Sequence, residues 1–190
     1  MIDIITHEVE ACLKVLKGGG VILYPTDTVW GIGCDATNAS AIDRIYKLKQ
    51  RSEHKKMVVL LDSKEKLHRY LSNVPEKALG LIDSAEKPTT IIYDDCRNLA
   101  KNLVSDDQSI AIRIVKDEFC KQLIREFDKP IVSSSANLSN APTPGNFSEI
   151  SAVVLQGVDY VVNLHHDSKL KALPSSIIKL DSNGQITVIR

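Results

Sequence analysis

Short apolar runs separated by amphipathic stretches constrain this chain more than any other feature. VILY (21–24), MVVLL (57–61), TTIIY (89–93), SIAIRIV (109–115), PIV (130–132) and YVVNL (160–164) each have the length of one strand. Helical patterns lie between them. Val9, Leu13 and Leu16 share a face, with Thr6 placed to cap the start and Gly18, Gly19 and Gly20 to end it. Ser40 and Asp43 have the spacing of a capping box for a helix carrying Ala41, Ile42, Ile45 and Leu48. Ser63 opens a helix with Leu67, Tyr70 and Leu71, and further helices are expected near 75–82, over 118–127 and over 147–155. The chain then finishes in two alternating runs joined at Asn183-Gly184, a strong hairpin signal. Strands that alternate with helices but close on a hairpin predict an α/β (α+β) domain. We expect one mixed sheet flanked by helices, in a single domain over 1–190.

With 43% apolar residues the chain can bury a sizeable core, and its 24 basic residues balance its 24 acidic ones. The overall charge therefore points to no nucleic acid or membrane, and any anion site must be local. Cys12, Cys34, Cys96 and Cys120 form no C-x-x-C pair, which favours reduced thiols in the cytoplasm over a metal site or disulfide framework. The first twenty residues contain acids and no long apolar run, so neither a signal peptide nor a membrane anchor is expected.

Four stretches bear chemistry. PIV runs into Ser133, Ser134, Ser135, Ala136 and Asn137. On a strand, Ser133 and Ser135 would face one side and Ser134 the other, offering hydroxyls at a strand end where ligands bind. A serine-rich turn capping the next segment is the alternative. Lys47, Lys49, Arg51, Lys55 and Lys56 crowd the end of a helix. They read either as a solvated helix end favoured by the dipole or as a grip for a triphosphate. Thr26, Asp27 and Thr28 follow a strand, with Gly31 and Gly33 permitting close backbone approach, or simply forming a tight turn; no P-loop is present. Arg113 interrupts an apolar strand and needs an anionic partner, either a salt bridge or a bound carboxylate. His165-His166 has no metal-ligand spacing, and no metal site is expected.

Taken together, GGGVILYPTDTVWGIGCDA, LKQRSEHKKM, SIAIRIV, KPIVSSSANLSNAP and LPSSIIKL resemble the YrdC-like domain family in order and rough spacing, over nearly the whole chain. The resemblance implies a twisted mixed sheet around a deep cleft, and threonylcarbamoyl-AMP synthase activity. That reaction joins L-threonine, bicarbonate or CO₂, and ATP, carried with Mg²⁺, and releases pyrophosphate. Downstream threonylcarbamoyl-transferase proteins would use the product on adenosine 37 of tRNA. The family's K-x-R and S-x-N motifs fall here on Lys49-Gln50-Arg51 and Ser135-Ala136-Asn137, implying catalytic roles for Lys49, Arg51, Ser135 and Asn137. Thr28, Arg113, Ser133 and Ser175 would contact threonine. Lys55, Ser109, Thr143 and Arg190 would join Lys49, Arg51, Ser135 and Asn137 around ATP.

The chain departs from the family at Ala85 to Thr90, where many members read W-P-G-P-[VL]-T, and at Leu60, where some carry histidine. Two other readings stay open: a non-catalytic module binding tRNA or double-stranded RNA weakly through the run at 47–56, and a paralogue of different activity, such as a carbamoyl-transfer accessory domain.

Overall fold

The computed structural model describes residues 3–52, 57–168, 173–181 and 184–190. In chain order the elements are α1 (Ile4–Lys17), β1 (Ile22–Tyr24), β2 (Gly31–Gly33), α2 (Ala39–Leu48), β3 (Val58–Leu61), a 3-10 turn (Lys64–Lys66), α3 (Leu67–Tyr70), α4 (Glu76–Ser84), β4 (Thr89–Tyr93), β5 (Ile110–Ile114), α5 (Glu118–Phe127), β6 (Ile131–Ser135), a second 3-10 turn (Phe147–Glu149), α6 (Ala152–Gly157), β7 (Tyr160–Val161), β8 (Ser176–Leu180) and β9 (Ile186–Val188). The strands form one mixed sheet in the order β7-β1-β2-β6-β3-β5-β4-β8-β9. The expected α/β architecture with a closing hairpin is therefore observed. Asn183 of the predicted turn lies outside the described residues, while Gly184 has the positive φ that such a turn requires.

Three boundaries differ from expectation. Asp3, not Thr6, precedes α1, and it makes no side-chain cap bond. Asn38, not Ser40, caps α2: Asn38 is extended, and its side chain accepts the Ala41 N–H at 3.1 Å. The helix expected over 147–155 is broken, because Ile150 is extended and buried and Ser151 starts a new helix by accepting the Val154 N–H.

Two apolar layers cover the sheet. One packs α2, α3 and α4 against Leu23, Ile32, Val59, Leu61, Ile91, Ile112 and Val132. The other packs α1 and α5 against Ile22, Tyr24, Leu60 and Ile131. By strand alternation, Arg113, Ser133 and Ser135 lie on the same face as Leu60 and Ile131. The α1–α5 layer thus covers part of that face and leaves the polar part open.

β2 makes the polar end of β6 accessible. Gly31 pairs with Ser135 and Ile32 with Ser134. A Cβ on Gly31 would stand 2.9 Å from Ser133 Oγ, and one on Gly33 only 2.3 Å from the Val132 carbonyl. Both glycines permit the close approach that the sequence suggested.

Exchanging glycines for alanine tests this packing. Gly33→Ala is expected to lower the unfolding free energy by about 1–3 kcal/mol in urea titration. Gly80→Ala, where an added Cβ meets nothing within 4 Å inside α4, is expected to raise it by about 0.5–1 kcal/mol. A neutral Gly33→Ala would contradict the β2–β6 register.

Candidate active site

The K-x-R segment owes its shape to the end of α2. Lys49 is the C-cap and Gln50 follows with φ 50°. The Gln50 N–H donates to the Lys47 carbonyl at 3.0 Å and the Arg51 N–H to the Tyr46 carbonyl at 2.9 Å. This double bond pattern is a Schellman turn, which reverses the chain in a fixed direction. It throws Lys49 and Arg51 to different destinations.

Lys49 is 1% exposed. Its ammonium donates to the carbonyls of Ser135 and Asn137, and its own carbonyl accepts the Ser139 N–H at 2.7 Å. Burial, with Arg51 nearby, pushes the amine down to about 7. Lys49 was expected to hold phosphate directly. The structure instead spends its donors on the backbone of the S-x-N segment, outside the cleft wall. Arg51 is half-buried and does line the cleft, and burial lowers its pKa as well.

The cleft is a cavity of about 240 Å³ bordered by Thr28, Trp30, Arg51, Val58, Arg113, Ser133, Ser134, Ser135, Thr143, Ser175 and Arg190, among others. Three arginines reach it, and no carboxylate is among its described lining residues. Arg113 enters from β5 with its side chain 5% exposed, and its Nη2 lies 3.2 Å from Asp27 Oδ1. The buried cation thus has the anionic partner its strand position demanded. Just before β8 comes Ser175, whose hydroxyl lies 2.8 Å from Thr90 Oγ1 and whose carbonyl accepts from Arg190 Nη2 at 3.1 Å. Ser175 is buried and Ser176 exposed, so the inward position is Ser175. A second recess of about 160 Å³ adjoins the first through Thr28 and Trp30 and is bordered by Asn146, His165 and Ser168.

Of the expected site residues, Thr28, Arg51, Arg113, Ser133, Ser135, Thr143, Ser175 and Arg190 converge on the cleft. Three described ones do not line it. Lys49 lies beneath the S-x-N backbone. Asn137 donates to the carbonyls of Leu138 at 2.9 Å and Ala141 at 2.7 Å, shaping the following loop, and borders an adjacent recess that shares Thr143 with the cleft. Ser109 is buried at the start of β5, its N–H bonded to Asp107 at 3.0 Å. Lys55 falls outside the described residues.

Sequence reasoning missed Trp30, which borders both recesses and packs on Phe147 at 5.0 Å, and Thr90, which steadies Ser175. Thr90 carried a signal, being a lone hydroxyl on the inward row of an apolar strand. His166 stacks on Phe147 at 3.7 Å. Leu60, in the place of a histidine in some relatives, is fully buried opposite Arg113 in β3.

Fold and cleft together define a class: an α/β domain that presents arginines and hydroxyls to a ligand carrying more than one anionic group. Comparison with known proteins names the family. The Sua5/YciO/YrdC family model, described as "Telomere recombination", matches residues 14–190, and the chain belongs to that family. It is 39% identical over 136 residues to the threonylcarbamoyl-AMP synthase of Psychromonas ingrahamii, spanning 70% of this chain and 71% of that one. The threonylcarbamoyl-AMP synthase of Homo sapiens is 33% identical over 192 residues, spanning 97% of this chain and 67% of the other. Among solved structures, P. abyssi Sua5 complexed with L-threonine superposes with a TM-score of 0.86 at 20% identity, with 100% of this chain covering 55% of that longer one. E. coli YciO superposes with a TM-score of 0.83 at 22% identity, covering 97% of this chain and 88% of that one.

The titration of Lys49 gives a signed test. Its folded-state value of about 7 lies below the free-lysine value of 10.5. Between the two the unfolded chain binds more protons, so stability rises with pH across that window. Urea unfolding should show wild type gaining on Lys49→Met from pH 7 upward; parallel pH profiles would remove Lys49 from the buried position.

Proposed function

We propose that this protein is a threonylcarbamoyl-AMP synthase, condensing L-threonine, bicarbonate or CO₂, and MgATP to threonylcarbamoyl-AMP and pyrophosphate. One observation carries the reading: three arginines and several hydroxyls converge on one cleft. The reading assigns Arg113, Thr28, Ser133 and Ser175 to the amino acid, and Arg51, Arg190, Thr143 and Ser135 to the nucleotide. An amino acid offers one carboxylate and one hydroxyl, which suit the first group. A triphosphate offers several negative oxygens, which suit the second.

The chemistry needs no nucleophilic side chain. The amine of threonine takes up CO₂ as a carbamate. A carbamate oxygen attacks the α-phosphorus, the bond from that phosphorus to the bridging oxygen breaks, and pyrophosphate leaves with the electron pair. The protein's part is to align carbamate and phosphorus and to neutralise the departing charge. Arg51 and Arg190 supply that charge. Ser135 and Thr143 orient phosphate oxygens, while Lys49 and Asn137 hold the loop that carries Ser135. Since hydroxyls but no carboxylates line the described wall, Mg²⁺ enters as part of the substrate MgATP, held by its phosphates.

The product is a labile mixed anhydride, so a transferase acting on tRNA adenosine must consume it. Four free cysteines, three of them buried, suit a reducing cytoplasm.

The test is direct. Purified protein incubated with ATP, Mg²⁺, threonine and bicarbonate should release pyrophosphate in a threonine-dependent manner, and mass spectrometry should find the threonylcarbamoyl adenylate. Arg51→Ala is expected to lower turnover about 10²-fold. Arg113→Ala should raise the KM for threonine about 10-fold or more while leaving that for ATP nearly unchanged. Pyrophosphate release indifferent to threonine would refute the reading.

A further inference from the structure

Asp27 stands in the TDT segment with no role assigned by the chemistry above. Its side chain is 8% exposed, and it is not among the residues bordering the cleft. Its two oxygens point in different directions: Oδ1 forms an ion pair with Arg113 Nη2 at 3.2 Å without an aligned hydrogen bond, and Oδ2 accepts the Lys116 N–H at 3.1 Å. The carboxylate is therefore tied to the same chain segment that carries the arginine. Asp117, the other buried acid nearby, is spent on capping α5 through the Cys120 N–H at 2.8 Å, and burial together with Asp27 raises its pKa. Arg113 Nη2 also donates to Thr26 Oγ1 at 3.4 Å. Thr26 Oγ1 in turn donates to the Val29 carbonyl at 2.8 Å and lies 2.9 Å from the hydroxyl of Thr28, which borders the cleft. The Nε of Arg113 is buried and has no hydrogen-bond partner among the described residues.

Arg113 borders the cleft, and its Nη2 is held from behind by Asp27 and Thr26. We propose that Asp27 is a positioning residue for the amino-acid substrate: it holds Nη2 so that the guanidinium of Arg113 is turned toward the α-carboxylate, and Arg113 in turn reaches the Thr28 hydroxyl through Thr26. This deepens the reading of the cleft as a threonine site and rests on it. Asp27 touches no substrate; it acts through Arg113.

The test compares wild type, Asp27→Asn, Arg113→Ala and the double variant, using pyrophosphate release with MgATP, threonine and bicarbonate, calorimetric titration with threonine, and thermal unfolding. Asp27→Asn is expected to fold, to raise the KM for threonine about tenfold, and to leave that for ATP within about twofold. Adding it to Arg113→Ala should cost nothing further in threonine KM, because both changes remove one contact. An unchanged threonine KM in folded Asp27→Asn, an equal loss for ATP, or additive losses in the double variant would each overturn the assignment. If Asp27→Asn does not fold, Asp27→Glu keeps the charge and shifts the carboxylate by one methylene. Its threonine KM should rise with ATP unaffected, and a wild-type value would overturn the proposal. A wild type that neither binds threonine nor releases pyrophosphate in response to it would defeat the functional reading and this inference together. An active wild type with an indifferent Asp27→Asn would defeat this inference alone.

Discussion

The buried ammonium of Lys49 holds together two segments that are far apart in the sequence. Its partners are the carbonyls of Ser135 and Asn137 rather than a carboxylate. Burying an ammonium is expensive, and hydrogen bonds to backbone carbonyls offset only part of that cost. What the fold obtains is geometry. The end of α2 and the end of β6 are locked in one relative position, and the Schellman turn carries Arg51, two residues beyond Lys49, from that lock to the cleft. Arg51 and Ser135 therefore face the same space because Lys49 is bound to the backbone of Ser135 and Asn137.

Arginines from three parts of the chain share the cleft, and Arg113 has an acid behind the wall while no acidic side chain borders the cleft among the described residues. Backbone and hydroxyl donors fixed before the ligand arrives avoid the reorganisation that flexible side chains would require. Glycines at 31 and 33 contribute by letting β2 approach the serine strand closely enough to form this wall.

Much of the scaffold was legible because hydrophobic period and turn chemistry are local. The helix over 118–127 and the strands around Val59, Ile91 and Ile112 follow from side-chain pattern alone. Helix starts were harder, since Asn38 and Ser40 are both good caps and only the extended backbone at Asn38 chose between them. In the site, the need of Arg113 for an acid could be read from its apolar strand, but not which acid, because Asp27 is 86 residues away. The fate of Lys49 was not legible at all. Its acceptors are backbone carbonyls, which every residue possesses and which leave no mark on a sequence. The bonds of the Asn137 amide were not legible for a related reason: they go to carbonyls of its own loop.

One wall of the cleft comes from the residues flanking the β8–β9 ribbon, Ser175 before it and Arg190 after it, and β8 joins the sheet between β9 and the much earlier β4. During vectorial synthesis on the ribosome, the helical layers and seven strands emerge before that wall exists. A nascent chain can thus bury most of its core while still unable to enclose a ligand. Competence to bind follows only when the β8–β9 ribbon docks along a partner strand made long before it.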